Sequence, residues 1–87
     1  MAQRTQAVKI AQARTLNQDP RKLRRRRVAR GLSVSALSRR ADVSMGTISN
    51  LERGTQSGQP RILAKLADAL GCEVTDLLPD EPKGSAA

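Results

Sequence analysis

The sequence contains no Phe, Tyr or Trp, so its hydrophobic core must be built from Leu, Ile, Val, Ala and Met. A chain of 87 residues buries only a small apolar area, and a compact bundle of short helices uses such side chains economically. No segment has the period-two alternation of a strand. The sequence therefore predicts one small all-α domain.

Basic residues are concentrated in the N-terminal half of the chain. The net charge is +8. Residues 20–31 carry seven bases and no acid, whereas residues 55–87 carry three bases and five acids. An isolated charge run is often only a solvated surface. Seven bases within ten residues, with no acid between them, favour a polyanionic partner that contacts one side of the domain.

Capping residues and apolar spacing predict five helices, at about 20–30, 34–41, 44–53, 60–70 and 74–78. Asp19, Ser33 and Ser44 are suitable N-caps for the first three. Gly54 and Gly71 end the third and the fourth. The helical domain spans residues 19–79. We interpret residues 1–18 as a basic flexible N-terminal arm, and residues 80–87, which are small and polar, as a disordered C-terminal tail.

The second and third predicted helices are joined by a short turn, and the third begins with small or polar residues: Ser44, Gly46, Thr47, Ser49 and Asn50. Two short helices in this relation form a helix-turn-helix arrangement. Its second helix must bring its N-terminal end into the DNA major groove, with its amides and positive dipole end facing phosphate. Small side chains permit that approach, whereas Ile48 and Leu51 are spaced to face the core.

Gly46 is unexpected at this place, because glycine costs about 1 kcal/mol relative to alanine within a helix. One explanation is that it lets the helix backbone come close to the groove floor or to a phosphate. The other is that it relieves crowding at the turn.

From Pro20 to about Leu78 the chain resembles the phage-repressor helix-turn-helix family, the Cro-like or xenobiotic-response-element-like (XRE-like) group. The resemblance rests on "RGLSVSALSRRADVSMGTISNLERG" and "QPRILAKLADALGCEVTDLL". It implies a lambda-repressor-like fold, a compact five-helix bundle that contains the helix-turn-helix and binds double-stranded DNA.

The resemblance also implies roles by position for residues of the third helix. Met45, Gly46 and Asn50 occupy positions that usually read base edges, and Thr47 occupies one that usually contacts phosphate. Family members often have Gln or Arg where this chain has Met45 and Gly46. An Asn amide can pair with adenine, and a good bidentate contact is worth about 1–3 kcal/mol of discrimination.

Other matched positions lie outside the third helix. Ser33 and Arg61 match positions near backbone phosphates, and Val34 replaces a Gln that donates to phosphate in many members. Arg27 and Glu52 match an ion pair that joins the first and third helices.

The arginines of the first helix lie at steps of about 100°, so they cannot all face one way. With Arg53, Arg61 and the bases of the arm, about six phosphate contacts are plausible, which makes affinity strongly salt-dependent. The complete predicted DNA-contacting set is Ser33, Ser44, Met45, Gly46, Thr47, Ser49, Asn50, Arg53, Arg61, Arg24, Arg26 and Arg27.

Catalysis and metal binding are not expected. The chain has no His and only one Cys, Cys72, which excludes a zinc site and an internal disulfide. In the family that the chain resembles, the position of Cys72 usually holds a small apolar residue, which implies core packing, with redox sensing as the alternative. Asp80 and Glu81 lie in the tail, where acid–base groups cannot be held in position. We predict a protein that is not an enzyme and needs no cofactor.

We interpret the protein as a sequence-specific transcription regulator, a repressor that acts by occupying double-stranded DNA. A cytoplasmic location is expected, because no apolar run approaches the roughly 18 residues that span a bilayer and the first residues lack a signal-peptide stretch. Family members commonly bind two half-sites as dimers, so Leu77 and Leu78 are candidates for homodimer contacts. No small-molecule ligand and no membrane partner are expected.

Two other functions compete with this interpretation. The first is an antitoxin-like protein-interaction module that neutralises a partner and binds DNA secondarily, although residues 79–87 are short and polar for wrapping a partner. The second is nonspecific coating of nucleic acid by the arginine run.

Overall fold

A computed structural model of the protein describes residues 16–80. Most of the predicted arm (residues 1–15) and of the predicted tail (residues 81–87) lies outside the described residues. The described part contains four α-helices and one 3-10 helix and no strand: α1 (Pro20–Ala29), α2 (Val34–Ala41), α3 (Met45–Arg53), α4 (Pro60–Leu70) and the 3-10 helix (Val74–Leu77). None of the helices in this part of the chain is long and apolar enough to cross a membrane.

The all-α class is as predicted, but the five-helix count is wrong. The fifth predicted helix is a single 3-10 turn of four residues. Glu73 precedes it, its N–H donating to the Asp76 carboxylate at 2.9 Å. Pro79 follows the turn, with only Leu78 between them. Because so short a segment before a proline cannot complete a ladder of i→i+4 hydrogen bonds, the tighter i→i+3 turn forms instead.

The N-termini of the first three helices are capped by the residues that the sequence indicated. The Asp19 carboxylate accepts from the amide of Arg21 at 2.9 Å, and the Ser33 hydroxyl accepts from the amide of Ala36 at 3.0 Å. Ser44 accepts from the amide of Thr47 at 3.1 Å. Each cap satisfies a donor that the helix itself leaves unpaired.

The hydrophobic core among the described residues is entirely aliphatic. Its fully buried members come from every helix: Leu23, Leu37, Ile48, Leu51, Leu66 and Leu77. Ile48 and Leu51 fasten α3 to the core, which leaves the opposite face of α3 outside. Leu77 is buried inside the domain, so it is not available for the homodimer contact considered above, whereas Leu78 is only partly buried.

The N-terminal boundary of the domain also differs from the prediction, because Gln18 belongs to the domain and not to the arm. Its side chain is completely buried. The Gln18 Nε2 donates to the carbonyls of Leu51 (3.1 Å) and Gln56 (2.9 Å), and its Oε1 accepts from the amide of Gly58 at 2.7 Å. A polar amide does not contribute to a periodic pattern of apolar residues, so the sequence pattern could not reveal that the Gln18 side chain is buried.

At the other end, Asp80 contacts the domain although it was assigned to the tail. Lys22 Nζ donates to the Asp80 carboxylate at 2.6 Å and to the carbonyl of Leu78 at 3.0 Å. The hydrogen bond from Lys22 holds the pKa of Asp80 below its ordinary value. Asp80 is exposed, so this ion pair adds little to stability.

Candidate nucleic-acid interface

The turn between α2 and α3 is three residues long, from Asp42 to Ser44, and sets the angle between these helices. Asp42 ends α2 in the left-handed conformation (φ 58°, ψ 47°), which is uncommon for residues other than glycine but tolerated by Asp. Val43 is buried, and its amide donates to the carbonyl of Ser38 at 3.2 Å. The turn is therefore fixed both by packing and by a backbone hydrogen bond.

The N-terminal end of α3 is open to solvent. Ser44, Met45 and Gly46 are exposed, and Met45 remains 50% exposed although it is a large apolar residue. The Ser44 hydroxyl also donates to Thr47 Oγ1 at 2.8 Å, so these two side chains bond to each other and not to neighbouring helices. Nothing in the described structure covers this end of the helix.

Gly46 is not explained by crowding. A Cβ atom built at this position meets no other atom within 4 Å. The explanation that glycine relieves a clash at the turn is therefore wrong. The close approach of a partner to the helix backbone at Gly46 stays a prediction.

The C-terminal end of α3 carries a polar cluster, which we define as Asn50, Arg53, Thr55 and Gln56. Arg53 Nη2 donates to Asn50 Oδ1 at 2.8 Å, and Asn50 Nδ2 donates to Gln56 Oε1 at 3.2 Å. Thr55 Oγ1 lies 3.4 Å from Asn50 Oδ1. Two of the predicted site residues, Asn50 and Arg53, are thus brought into direct contact.

Sequence reasoning missed Thr55 and Gln56, which it treated only as loop. Gly54 ends α3 in the left-handed conformation (φ 77°), and the amide of Thr55 donates to the carbonyl of Asn50 at 3.0 Å. A helix that ends in this way returns its next residues over its own last turn. The "ERGTQ" stretch contained that signal, because the glycine was already recognised as the helix end.

Arg27 and Glu52, which the resemblance pairs, form a bidentate ion pair between α1 and α3. The two bonds measure 2.6 Å (Nε to Oε2) and 2.9 Å (Nη2 to Oε1). The side chains are only 13% and 9% exposed, and the hydrogen bond to Glu52 raises the pKa of Arg27. Arg27 Nη1 donates to the carbonyl of Leu32 at 2.8 Å. Because its three guanidinium nitrogens are all used inside the domain, we do not retain Arg27 as a DNA contact.

The other basic side chains of α1 lie on two different sides of the helix. Arg24 lies with Ser49 and Arg53 around a shallow groove between α1 and α3. Arg26 Nη2 instead lies 3.4 Å from the carboxylate of Asp76 in the 3-10 helix, on the same side as the Lys22–Asp80 pair. Arg24 and Arg26 are two residues apart, about 200° around the helix. The structure therefore removes Arg26 from the face that presents α3.

The remaining predicted contacts are accessible. Ser33 is exposed at the start of α2, and Arg61 is exposed in the first turn of α4. Thr47 and Ser49 are partly buried on α3. None of these four side chains is sequestered in the core, so all can meet a partner.

Two further kinds of chemistry concern the described residues: metal binding and the reactivity of the Cys72 thiol. No group of His, Cys, Asp and Glu in this range could hold a metal ion. Cys72 is partly buried against the core, and its burial raises the pKa of the thiol. A raised pKa disfavours the reactive thiolate, so the packing role expected of Cys72 agrees with its surroundings.

Two short helices joined by a fixed turn, with the open end of the second presented beside basic groups, define a helix-turn-helix domain. A family model described as "Helix-turn-helix domain" matches residues 21–78. The chain belongs to this family, and its resemblance to Cro-like and XRE-like regulators is confirmed. It is a DNA-binding regulator of the helix-turn-helix class and not an enzyme.

Solved structures of regulators are similar to the described fold. The restriction-modification controller protein C.AhdI from Aeromonas hydrophila has a TM-score of 0.66 and 30% identity, covering 68% of this chain and 89% of that chain. An HTH_3 family transcriptional regulator from Vibrio cholerae has a TM-score of 0.63 and 30% identity, covering 66% of this chain and 32% of that chain.

The clp gene regulator ClgR from Corynebacterium glutamicum has a TM-score of 0.62 and 35% identity, covering 66% of this chain and 61% of that chain. The present chain therefore spans less than two thirds of the regulators from V. cholerae and C. glutamicum. Among curated protein sequences, none matches the chain.

Proposed function

We propose that the protein is a sequence-specific transcription regulator that inserts α3 into the major groove of double-stranded DNA and represses by occupancy. The observation that carries the proposal is the open N-terminal end of α3, where Gly46 has free space on its outer side. The opposite face of the same helix is fixed by Ile48 and Leu51 in the core and by the Glu52–Arg27 ion pair. A rigid helix with one bare end is suited to entering a groove.

The first turn of α3 supplies the close contacts in this proposal. The first amides of a helix have no intrahelical acceptor and attract phosphate. Ser44 and Thr47 add hydroxyl donors at the same end. Met45 faces a thymine methyl group or another apolar base edge, and Gly46 permits the backbone itself to approach the DNA.

Charge supports the same orientation. Arg24 and Arg53 border the groove between α1 and α3, beside the exposed face of the recognition helix. Glu52 would repel phosphate there, but its charge is neutralised by Arg27 at 2.6 Å. The face around α3 therefore presents to the sugar–phosphate backbone two arginines that form no ion pair with any residue between 16 and 80.

We extend the proposal to a homodimer, because one recognition helix reads only a few base pairs and helix-turn-helix dimers read two half-sites about 34 Å apart. Leu78 is the remaining candidate for the contact, since Leu77 is buried in the core. The resemblance to a restriction-modification controller and to a clp gene regulator supports a regulatory role without identifying a gene.

The experiment is a selection of bound duplexes from a random pool, followed by titration of the selected duplex and a scrambled one at the same salt concentration. We expect a defined enriched sequence, and a loss of about 1–3 kcal/mol of binding free energy for each changed base pair in it. The backbone amide signals of residues 44–53 are expected to shift on binding.

Arg24 and Arg26 provide a matched pair of variants for the orientation of the domain. Arg24→Ala should weaken binding to both duplexes and lower the slope of log affinity against log salt by about one. Arg26→Ala should have a clearly smaller effect, because this side chain is directed towards Asp76. Equal effects of the two variants, or no enrichment of any sequence, would contradict the proposal and favour nonspecific coating.

A further inference from the structure

The Asn50 amide is held at both of its ends, so its orientation is set before any DNA is bound. Arg53 has only donors, and its Nη2 lies 2.8 Å from Asn50 Oδ1. The oxygen of Asn50 must therefore face Arg53, which directs Nδ2 towards Gln56. Gln56 must in turn present its Oε1, 3.2 Å away, because an NH2 group there would meet another donor.

The backbone of Gln56 is fixed independently of its side chain. Its carbonyl accepts at 2.9 Å from the completely buried side chain of Gln18. The same Gln18 side chain holds the amide of Gly58 at 2.7 Å. The Gln56 side chain is thus exposed, but its backbone is held in place, so the position from which the side chain reaches Asn50 is fixed.

We propose that Gln56 is a positioning residue for sequence reading: it holds the Asn50 amide in the orientation that Arg53 imposes, and so fixes the base that Asn50 selects. The Thr55 hydroxyl has a single proton, and its Oγ1 lies nearer to the backbone carbonyl of Asn50 (3.3 Å) than to Oδ1 (3.4 Å). With that proton on the carbonyl, one hydrogen of Nδ2 directed to Gln56 and one lone pair of Oδ1 directed to Arg53, the amide keeps one donor and one acceptor for DNA. Adenine offers the complementary pair, N7 and the N6 amino group, in the major groove. The inference rests on the proposed function, since it requires α3 to lie in that groove.

Two substitutions of Gln56 separate positioning from other effects. Gln56→Ala removes the acceptor for Asn50 Nδ2 and leaves the net charge unchanged. Gln56→Glu keeps an acceptor at the same reach but adds a negative charge next to DNA. Both changes are at an exposed position, and thermal unfolding of each variant should show a midpoint close to that of the unsubstituted protein.

The measurement compares the selected duplex with a duplex changed at one A·T pair, the pair for which Asn50→Ala abolishes the preference. The measured quantity is the ratio of the two dissociation constants. For Gln56→Ala we expect this ratio to fall about fivefold or more, the lower end of what one bidentate contact supplies. For Gln56→Glu we expect weaker binding to both duplexes with the ratio retained. In the Asn50→Ala background, Gln56→Ala should not change the ratio further.

The outcomes also distinguish the inference from the function on which it rests. If the protein prefers the selected duplex and Asn50→Ala abolishes the preference at one pair, the proposed function stands whatever Gln56 does. The inference is overturned if Gln56→Ala retains the ratio, or if Gln56→Glu loses it as completely as Gln56→Ala. If the protein prefers no duplex at all, the proposed function fails and the inference with it.

Discussion

The two ends of the recognition helix α3 are built in opposite ways. At its N-terminal end, the Ser44 side chain bonds to Thr47 and, among residues 16–80, to no neighbouring helix, and Gly46 has free space around it. At its C-terminal end, Glu52 is tied to α1, and the loop that follows is tied to the buried Gln18. One helix thus has an open end and an anchored end.

This difference assigns the two ends of the nine-residue helix to different roles: the anchored end stabilises the fold, and the open end is available to contact a partner. Changes at the anchored end should cost folding free energy, because they leave buried groups unpaired or displace packed atoms. At the open end, changes of Met45 and Gly46, which make no capping bond, should cost little or even stabilise the free protein while altering what α3 can approach.

Removing Glu52 should damage the anchored end most. Glu52→Ala leaves the guanidinium of Arg27, only 13% exposed, without its charge partner, and we expect a loss of about 3 kcal/mol in the free energy of unfolding. Urea unfolding followed by circular dichroism measures it. The matched control is Arg26→Ala, which breaks the exposed Arg26–Asp76 pair and should cost less than about 1 kcal/mol. Equal losses in the two variants would mean that the C-terminal end of α3 is not anchored through this pair.

Gln18→Met tests the anchor of the loop. Methionine has a similar volume but no hydrogen-bonding amide, so the carbonyl of Gln56 and the amide of Gly58 lose their buried partner. We expect a loss of about 2 kcal/mol, together with faster hydrogen exchange of the Gly58 amide. Asn17→Ala is the control, because the Asn17 side chain bonds the same loop from an exposed residue, its Nδ2 donating to the carbonyl of Gly58 at 2.8 Å. If Gln18→Met is no more costly than Asn17→Ala, the loop is held by something other than Gln18.

Gly58→Ala should be unfavourable for a steric reason. An added Cβ atom would lie 2.7 Å from Cδ2 and 3.1 Å from Cγ of Leu63, and Leu63 is itself only 2% exposed. Overpacking of this kind costs about 1–3 kcal/mol, so the midpoint of thermal unfolding should fall. An unchanged midpoint would show that the loop has room to shift, and would weaken the contrast between the two ends of α3.

The open end could be predicted from the sequence more completely than the anchored end. Caps and helical spacing are local patterns, so Ser33, Ser44 and the core positions of α3 were accessible to sequence reasoning. The burial of Gln18 depends on the loop about forty residues further along the chain. It leaves no periodic pattern in the sequence around Gln18. The pairing of Arg26 with Asp76, and hence its loss from the candidate interface, likewise depends on where the 3-10 helix packs. Direct DNA contacts by Met45, Gly46 and Asn50 stay predictions.

Gly46→Ala tests the open end with the smallest expected change in stability. Because a Cβ atom there meets nothing within 4 Å and alanine has the higher helix propensity, the free protein should gain up to about 1 kcal/mol. In the proposed complex the same methyl group would face the groove, so affinity for the selected duplex should fall although the fold is more stable. Urea unfolding and duplex titration on one preparation of the variant measure both quantities. A more stable variant with unchanged affinity would show that DNA does not approach the backbone at Gly46, and the open end of α3 would then lack the function proposed for it.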